Sequence, residues 1–250
     1  MTVRFPRFYF LFFLCLILPS PAFPQTATPG DTRVVVEHYP DGSQFARGKV
    51  VRDASGQERM EGEWTFWYPD GKVQAVGSFR SGPLEGQRGL SGVPVAGRDG
   101  VWTFWFEGGQ KRQEVEYTDG RENGKFLSWY AVGQTEAQGA YRDGMKQGRW
   151  TLWFENGIKK FSGSFDRGRE EGPAVFWHPN GQKMLQGVFR RGKKDGQFVS
   201  WHENGRRMNE GYYRSDEKDG TWTYWDAEGK QVKTEIYERG TLIREKTGTK

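Results

Sequence analysis

The sequence predicts an all-β protein: an elongated antiparallel β-sheet built from tandem 24-residue β-hairpins. Three observations carry this. All eleven tryptophans fall at two positions of a repeat 24 residues long. The residues around them are rich in Trp, Phe, Tyr, Val and Thr, which favour strands. Asn-Gly or Asp-Gly pairs recur midway through the unit, at Asp70-Gly71, Asn156-Gly157, Asn180-Gly181 and Asn204-Gly205, where a hairpin has to turn. No stretch shows the 3.6-residue apolar spacing of a helix. A period of this size marks an array in which each unit packs only on its neighbours.

Along the chain, residues 1–22 read as a secretory signal peptide. Arg4 and Arg7 precede the apolar run Phe8 to Leu18, and Ser20-Pro21-Ala22 supplies small residues around a cleavage point. The competing reading is an uncleaved anchor, but about eleven apolar residues fall short of the roughly 20 of a spanning helix. Cleavage after Ala22 implies a secreted or periplasmic protein and removes Cys15, the one cysteine, which excludes thiol chemistry and thiolate metal sites. It also lowers the formal charge from +5 to +3 through loss of Arg4 and Arg7. A small surplus spread among evenly mixed charges is ordinary for a solvated surface and does not point to nucleic acid.

Residues 23–32 read as a linker, and 33–245 as the array. A degenerate first repeat spans 33–61: Val34-Val35-Val36 and Tyr39-Pro40-Asp41-Gly42 match the unit, with His38 in place of tryptophan. Full repeats start at Gly62, Gly100, Gly124, Gly148, Gly172, Gly196 and Gly220. An insertion at 86–99 carries no charge cluster or catalytic signature and reads as a surface loop. Thr241 to Glu245 adds a last strand whose charges discourage edge-to-edge growth, and 246–250 is a tail.

Within the unit, with the opening glycine at position 0, Trp64, Trp102, Trp150 and Trp222 stand at position 2. Trp67, Trp105, Trp129, Trp153, Trp177, Trp201 and Trp225 stand at position 5. If Asn-Gly is a two-residue loop, residues pair when their positions sum to 17. The position-2 aromatic then faces the glycine at position 15, as in Trp150 opposite Gly163, and the position-17 aromatic faces the opening glycine. A ring laid over a cross-strand glycine accounts for both glycine classes. Val115 and Glu235 break the rule at position 15, so those hairpins are expected to pack differently. Alternation puts positions 2, 4, 6 and 17 on a packing face and the position-5 tryptophans on a wetter one.

The segment G-x-W-x-x-W-[YF]-x-[ND]-G followed by G-x-[FY]-x-x-G, as in Gly62 to Gly82 and Gly148 to Gly168, resembles the MORN repeat family in its variant bacterial form. The resemblance covers about residues 33 to 240. It implies a single elongated sheet of hairpins used for protein contacts, scaffolding and sometimes lipid contact. Some bacterial relatives of this shape are labelled antitoxins, which implies neutralisation by binding. The export signal, the richer tryptophan content and the insertion at 86–99 depart from the family's pattern.

Little else in the chain carries chemistry. His178 and His202 share position 6 with Tyr68, Phe106, Tyr130 and Phe154. Two strands apart, they stand about 10 Å from each other, too far for one metal ion, and read as substitutes in an aromatic stripe. Glu107, Glu155 and Glu203 recur beside the turn as a solvated shoulder rather than as a pair for glycoside cleavage. No glycine cluster joins a strand to a helix, so no phosphate loop is present. Neither a catalytic residue, a cofactor nor a metal is expected. The candidate binding residues are Trp67, Trp105, Trp129, Trp153, Trp177, Trp201 and Trp225, as a row able to stack sugars or anchor a peptide. The rival account has neighbouring indoles stacking on one another to shield the sheet. The expected partner is a protein, with an envelope glycan or a lipid surface as alternatives.

Overall fold

The computed structural model describes residues 30–84 and 92–248. The signal peptide at 1–22, most of the linker, residues 85–91 of the insertion and residues 249–250 of the tail lie outside the described residues. Nineteen strand segments form one antiparallel sheet. Each pairs with its neighbour in chain order, from β1 (Thr32–His38) on β2 (Gln44–Arg52) to β18 (Gln231–Glu238) on β19 (Thr241–Thr247). Two strands are interrupted by a single residue. β11 (Arg169–Glu170) and β12 (Gly172–Trp177) both pair with β10 (Lys159–Asp166). β14 (Lys193–Lys194) and β15 (Gly196–Trp201) both pair with β13 (Lys183–Arg190).

The Asn-Gly turn is not the two-residue loop that the sequence suggests. The Phe154 N–H donates to the Ile158 carbonyl at 2.8 Å, and the Gly157 N–H to the Phe154 carbonyl at 2.9 Å, which encloses three loop residues. Only Gly157 has a positive φ, +80°. Asn156 accepts the Ile158 N–H on its side-chain oxygen at 3.0 Å, a contact that holds it outside the left-handed region. Pairs beside the turn therefore sum to 16, as in Trp153 with Lys159. A β-bulge at Lys160 then adds a residue, so Phe161 meets Leu152, Gly163 meets Trp150 and Phe165 meets Gly148. The expected register holds through most of the hairpin because a longer loop and a bulge offset each other.

The two-residue turn lies at the other end of six of the seven full units. Arg167 (φ +47°) and Gly168 (φ +78°) both occupy the left-handed region between the paired residues Asp166 and Arg169, the signature of a type I′ turn. Asp119-Gly120, Asp143-Gly144, Arg191-Gly192, Ser215-Asp216 and Arg239-Gly240 repeat it.

The two glycine classes also separate. Trp150 is level with Gly163, as expected, but its ring lies over Gly139 of the preceding repeat, where a methyl group would fall inside the indole. The indole leans that way because its Nε1–H donates to the Ala140 carbonyl at 3.1 Å. Trp64 over Gly48, Trp102 over Gly77 and Trp222 over Gly211 repeat the arrangement, with Nε1–H bonds to the carbonyls of Lys49, Ser78 and Tyr212. The opening glycines have a different cause. Gly62, Gly100, Gly148, Gly172 and Gly220 have φ between +67° and +80° and open space where a Cβ would sit. Backbone conformation, not a ring, selects glycine there.

One face of the sheet carries the core, in two clusters. The first runs from Ala46 to Tyr117 around Trp64, Phe66, Trp102 and Phe104. The second runs from Ala137 to Trp222 around Trp150, Phe161, Phe189 and Phe198. Phe126 packs against both. The two exceptions at position 15 do pack differently. Val115 is buried level with Phe126, and Glu235 is buried level with Trp222.

The described part of the insertion is not a surface loop. Val93 is 0% exposed and belongs to the first cluster, and Arg98 is 5% exposed. Gly97 lies against the backbone of Gly82 too closely for any side chain. Its carbonyl accepts the Arg80 N–H and the Arg98 carbonyl accepts the Gly120 N–H. The segment closes over rings that a single sheet would otherwise leave bare.

Candidate functional site

The position-5 tryptophans share the face opposite the core. Each is half-buried, neither shielded nor bare. Trp153 pairs with Lys159, Trp177 with Lys183 and Trp201 with Arg207, so a cation stands level with several of the indoles. Lys111 approaches the Trp129 ring at 5.9 Å and Lys183 the Trp201 ring at 5.5 Å. The row is one strand pair per step, about 10 Å. Among the described residues no ring pair joins one of these indoles to another aromatic, so mutual stacking does not account for them. Their polar flanks include Thr65, Thr103, Thr151 and Thr223, with Leu127, Val175 and Val199 in the remaining copies.

Five of these tryptophans are held through their backbone carbonyls. The Tyr39 hydroxyl donates to the Trp67 carbonyl at 2.8 Å, Tyr68 to Trp105 and Tyr130 to Trp153 at the same distance. His178 and His202 make the same bond through Nε2, to the carbonyls of Trp201 and Trp225 at 3.0 Å each. The two histidines thus stand in for tyrosine as hydrogen-bond donors between repeats. Among the described residues no group of three His, Cys, Asp or Glu side chains is placed to hold a metal ion. The asparagine of the turn adds a clamp. Asn156, Asn180 and Asn204 donate to the carbonyls of Pro179, Glu203 and Ala227 in the following repeat.

On the core face a cation two residues before the opening glycine caps the rings. Lys146 lies 4.5 Å from the Trp150 ring and 5.1 Å from Phe165. Lys218 lies 4.8 Å from Trp222 and 4.7 Å from Tyr237. Arg98 fills the same place at the insertion, 4.8 Å from Trp102 and 5.2 Å from Tyr117. Its guanidinium also donates to the carbonyls of Pro94 and Val93 and to the Tyr117 hydroxyl. Burial lowers the Arg98 pKa and raises that of Tyr117. The recurrence of Arg98, Lys146, Lys194 and Lys218 at one position was the signal in the sequence.

In the last repeat Glu235 collects a polar cluster. Its carboxylate accepts from the hydroxyls of Tyr224 at 2.5 Å and Tyr237 at 2.9 Å, and from Lys233 Nζ at 2.6 Å. Burial pushes its carboxyl up, but the bonds from Lys233, Tyr224 and Tyr237 outweigh that and hold the pKa at about 2. Glu107, Glu155 and Glu203 are exposed beside their turns.

The profile of the MORN repeat variant matches residues 60–80 and 98–119. Over these two segments the chain carries MORN repeats of the variant type. The matched MORN segments hold Trp64, Trp67, Trp102 and Trp105, and the other copies follow in the same 24-residue register. MORN repeats generally mediate protein or membrane-lipid contacts. No curated protein matches the chain. A solved structure of a protein of unknown function from Bacteroides fragilis covers 88% of this chain and 93% of its own at 7% identity. Its TM-score of 0.11 is too low to bear on the MORN array.

Proposed function

We propose that this MORN-repeat chain is an exported, non-enzymatic scaffold that holds a protein partner on its tryptophan face. The observation that carries the reading is the half-buried tryptophan presented by every full repeat on the face that the core leaves free. Export is supported by Arg4, Arg7, the apolar run Phe8 to Leu18 and the small residues ending at Ala22. A non-catalytic role is supported by the repeats themselves, whose recurring polar groups serve turns, latches and ring capping.

Site-directed photocrosslinking in the native host tests the scaffold. A crosslinker at Ser162, on the tryptophan face, is expected to trap one discrete protein adduct, and one at Lys160, in the bulge, to trap none. Adducts at neither position, or equally at both, overturn the docking face. N-terminal sequencing of the exported protein is expected to begin at Phe23, and recovery of an intact Met1 terminus in the cytoplasm removes the export reading.

An envelope polymer is the second reading. It is favoured by indoles that lie unstacked between polar neighbours, a surface on which sugar rings stack well.

A further inference from the structure

With the tryptophan face taken as the docking surface, we infer that its middle third, over residues 124–189, binds an acidic polysaccharide. Positions 1, 3 and 5 and their cross-strand partners 16, 14 and 11 form the centre of this face. Over three successive repeats those places hold the exposed cations Lys125, Arg149, Lys159 and Lys183 and no carboxylate. Trp129, Trp153 and Trp177 run through the same stretch.

The flanking repeats differ. Lys111 is neutralised by Glu114 at 2.5 Å and Arg207 by Glu210 at 2.9 Å. Glu116 and Glu63 add further negative charge there. Several acids bordering the middle stretch are engaged, beginning with Glu116, which accepts the Lys125 N–H at 2.9 Å. Glu171 accepts the Arg191 N–H at 2.8 Å, Asp166 accepts from Gln147 at 3.3 Å, and Asp195 pairs with Arg190 at 3.4 Å. An open groove of about 440 Å³ crosses the stretch, lined by Arg149, Lys159, Ser162, Ser164 and Trp177 among others.

Charge complementarity calls for an anionic partner, and the shape selects among them. The indoles recur about every 10 Å, one per strand pair, a step close to two sugar units of an extended chain. The half-buried indoles are available to sugar rings, Ser162, Ser164 and Gln186 on the same face to hydroxyl groups, and the cations to carboxylates. An acidic peptide can meet the cations but presents no apolar ring face to the indoles at this repeating spacing, as a sugar chain does. Membrane insertion needs a broad apolar face, whereas this one interleaves its half-buried rings with Lys125, Arg149, Lys159 and Lys183.

The test is affinity electrophoresis of the full chain through gels containing polygalacturonate, or dextran as the neutral polysaccharide. Poly-L-glutamate and phosphatidylglycerol vesicles serve as the competing polyanions. Retardation by polygalacturonate alone is expected, falling with added salt. The double variant Lys159→Gln/Lys183→Gln is expected to bind on the order of tenfold more weakly, with near-UV circular dichroism unchanged. Lys246→Gln, the same charge change on the terminal strand β19, is expected to bind as the parent does. No retardation, equal binding to polyglutamate or the vesicles, or a double variant indistinguishable from the parent overturns the inference. A protein adduct at Ser162 without polysaccharide binding removes this inference and leaves the scaffold; absence of both removes both.

Discussion

At the scale of single residues, two glycine classes that look alike in the sequence have different physical causes, and substitution separates them. Gly139→Ala places a methyl group inside the Trp150 indole, an overpacked site expected to cost about 1–3 kcal/mol or more. Gly148→Ala meets no atom but must hold φ at +68°, expected to cost about 1–2 kcal/mol. Asparagine discriminates further, because it tolerates the left-handed region: Gly148→Asn is expected to be milder than Gly148→Ala, and Gly139→Asn worse than Gly139→Ala. Urea denaturation of the four variants checks the order. His178 gives a second contrast. His178→Phe leaves the Trp201 carbonyl without its donor and is expected to lose about 1 kcal/mol, while His178→Tyr restores the bond that Tyr130 makes two repeats earlier. Equal stabilities of the Phe and Tyr variants in thermal melts remove the latch as a source of stability.

At the scale of elements, the hairpin shows what was legible in the sequence and why the rest was not. Strand identity, the core face and most of the register follow from the alternation of rings and from the glycine period. The turn type was hidden because Asn-Gly serves a three-residue loop as well as a two-residue one, and the compensating bulge at Lys160 has no residue signature. The tryptophan row was legible as a row, but its half-burial depends on neighbouring strands. The buried half of the insertion was hidden because Val93 and Arg98 look unremarkable until Trp102 and Tyr117 are placed beside them. The terminal hairpin, closed by Glu235 where a glycine would carry a ring, has a pH signature. The Glu235 carboxyl is lowered from 4.5 to about 2, so its stabilisation is fully present above pH 4.5 and is lost as pH falls through about 2. Acid titration followed by amide exchange in β18 and β19 is expected to show this loss, and Glu235→Gln to abolish it. An unchanged profile in that variant assigns the acid sensitivity elsewhere.

At the scale of the whole molecule, stability in an array is a sum of local and nearest-neighbour contributions. The first cluster has five large aromatic residues at 3% exposure or less, Trp64, Phe66, Phe79, Trp102 and Phe104, and is closed over by Val93 and Arg98. Among the described residues no such segment covers the second, and its Phe189 is 8% exposed. Native-state hydrogen exchange is therefore expected to report two cooperative units, with amides of residues 58–105 the most protected. A single transition with uniform protection along the chain contradicts the division.

The contacts between repeats are not evenly distributed. Most neighbouring repeats share a tyrosine or histidine latch, an asparagine clamp, or an indole seated on a glycine. The repeats beginning at Gly100 and Gly124 share none of the three. Phe106 has no hydroxyl, Gly108 stands where asparagine would, and Val115 occupies the glycine's place beneath Phe126 rather than tryptophan. The seam falls where the two core clusters meet. The strand ladder, the Val115–Phe126 contact and the Lys125 N–H on Glu116 join the halves there. The seam is therefore expected to be where the array first yields under load, and a ligand that bridges it to fasten the two halves into one unit.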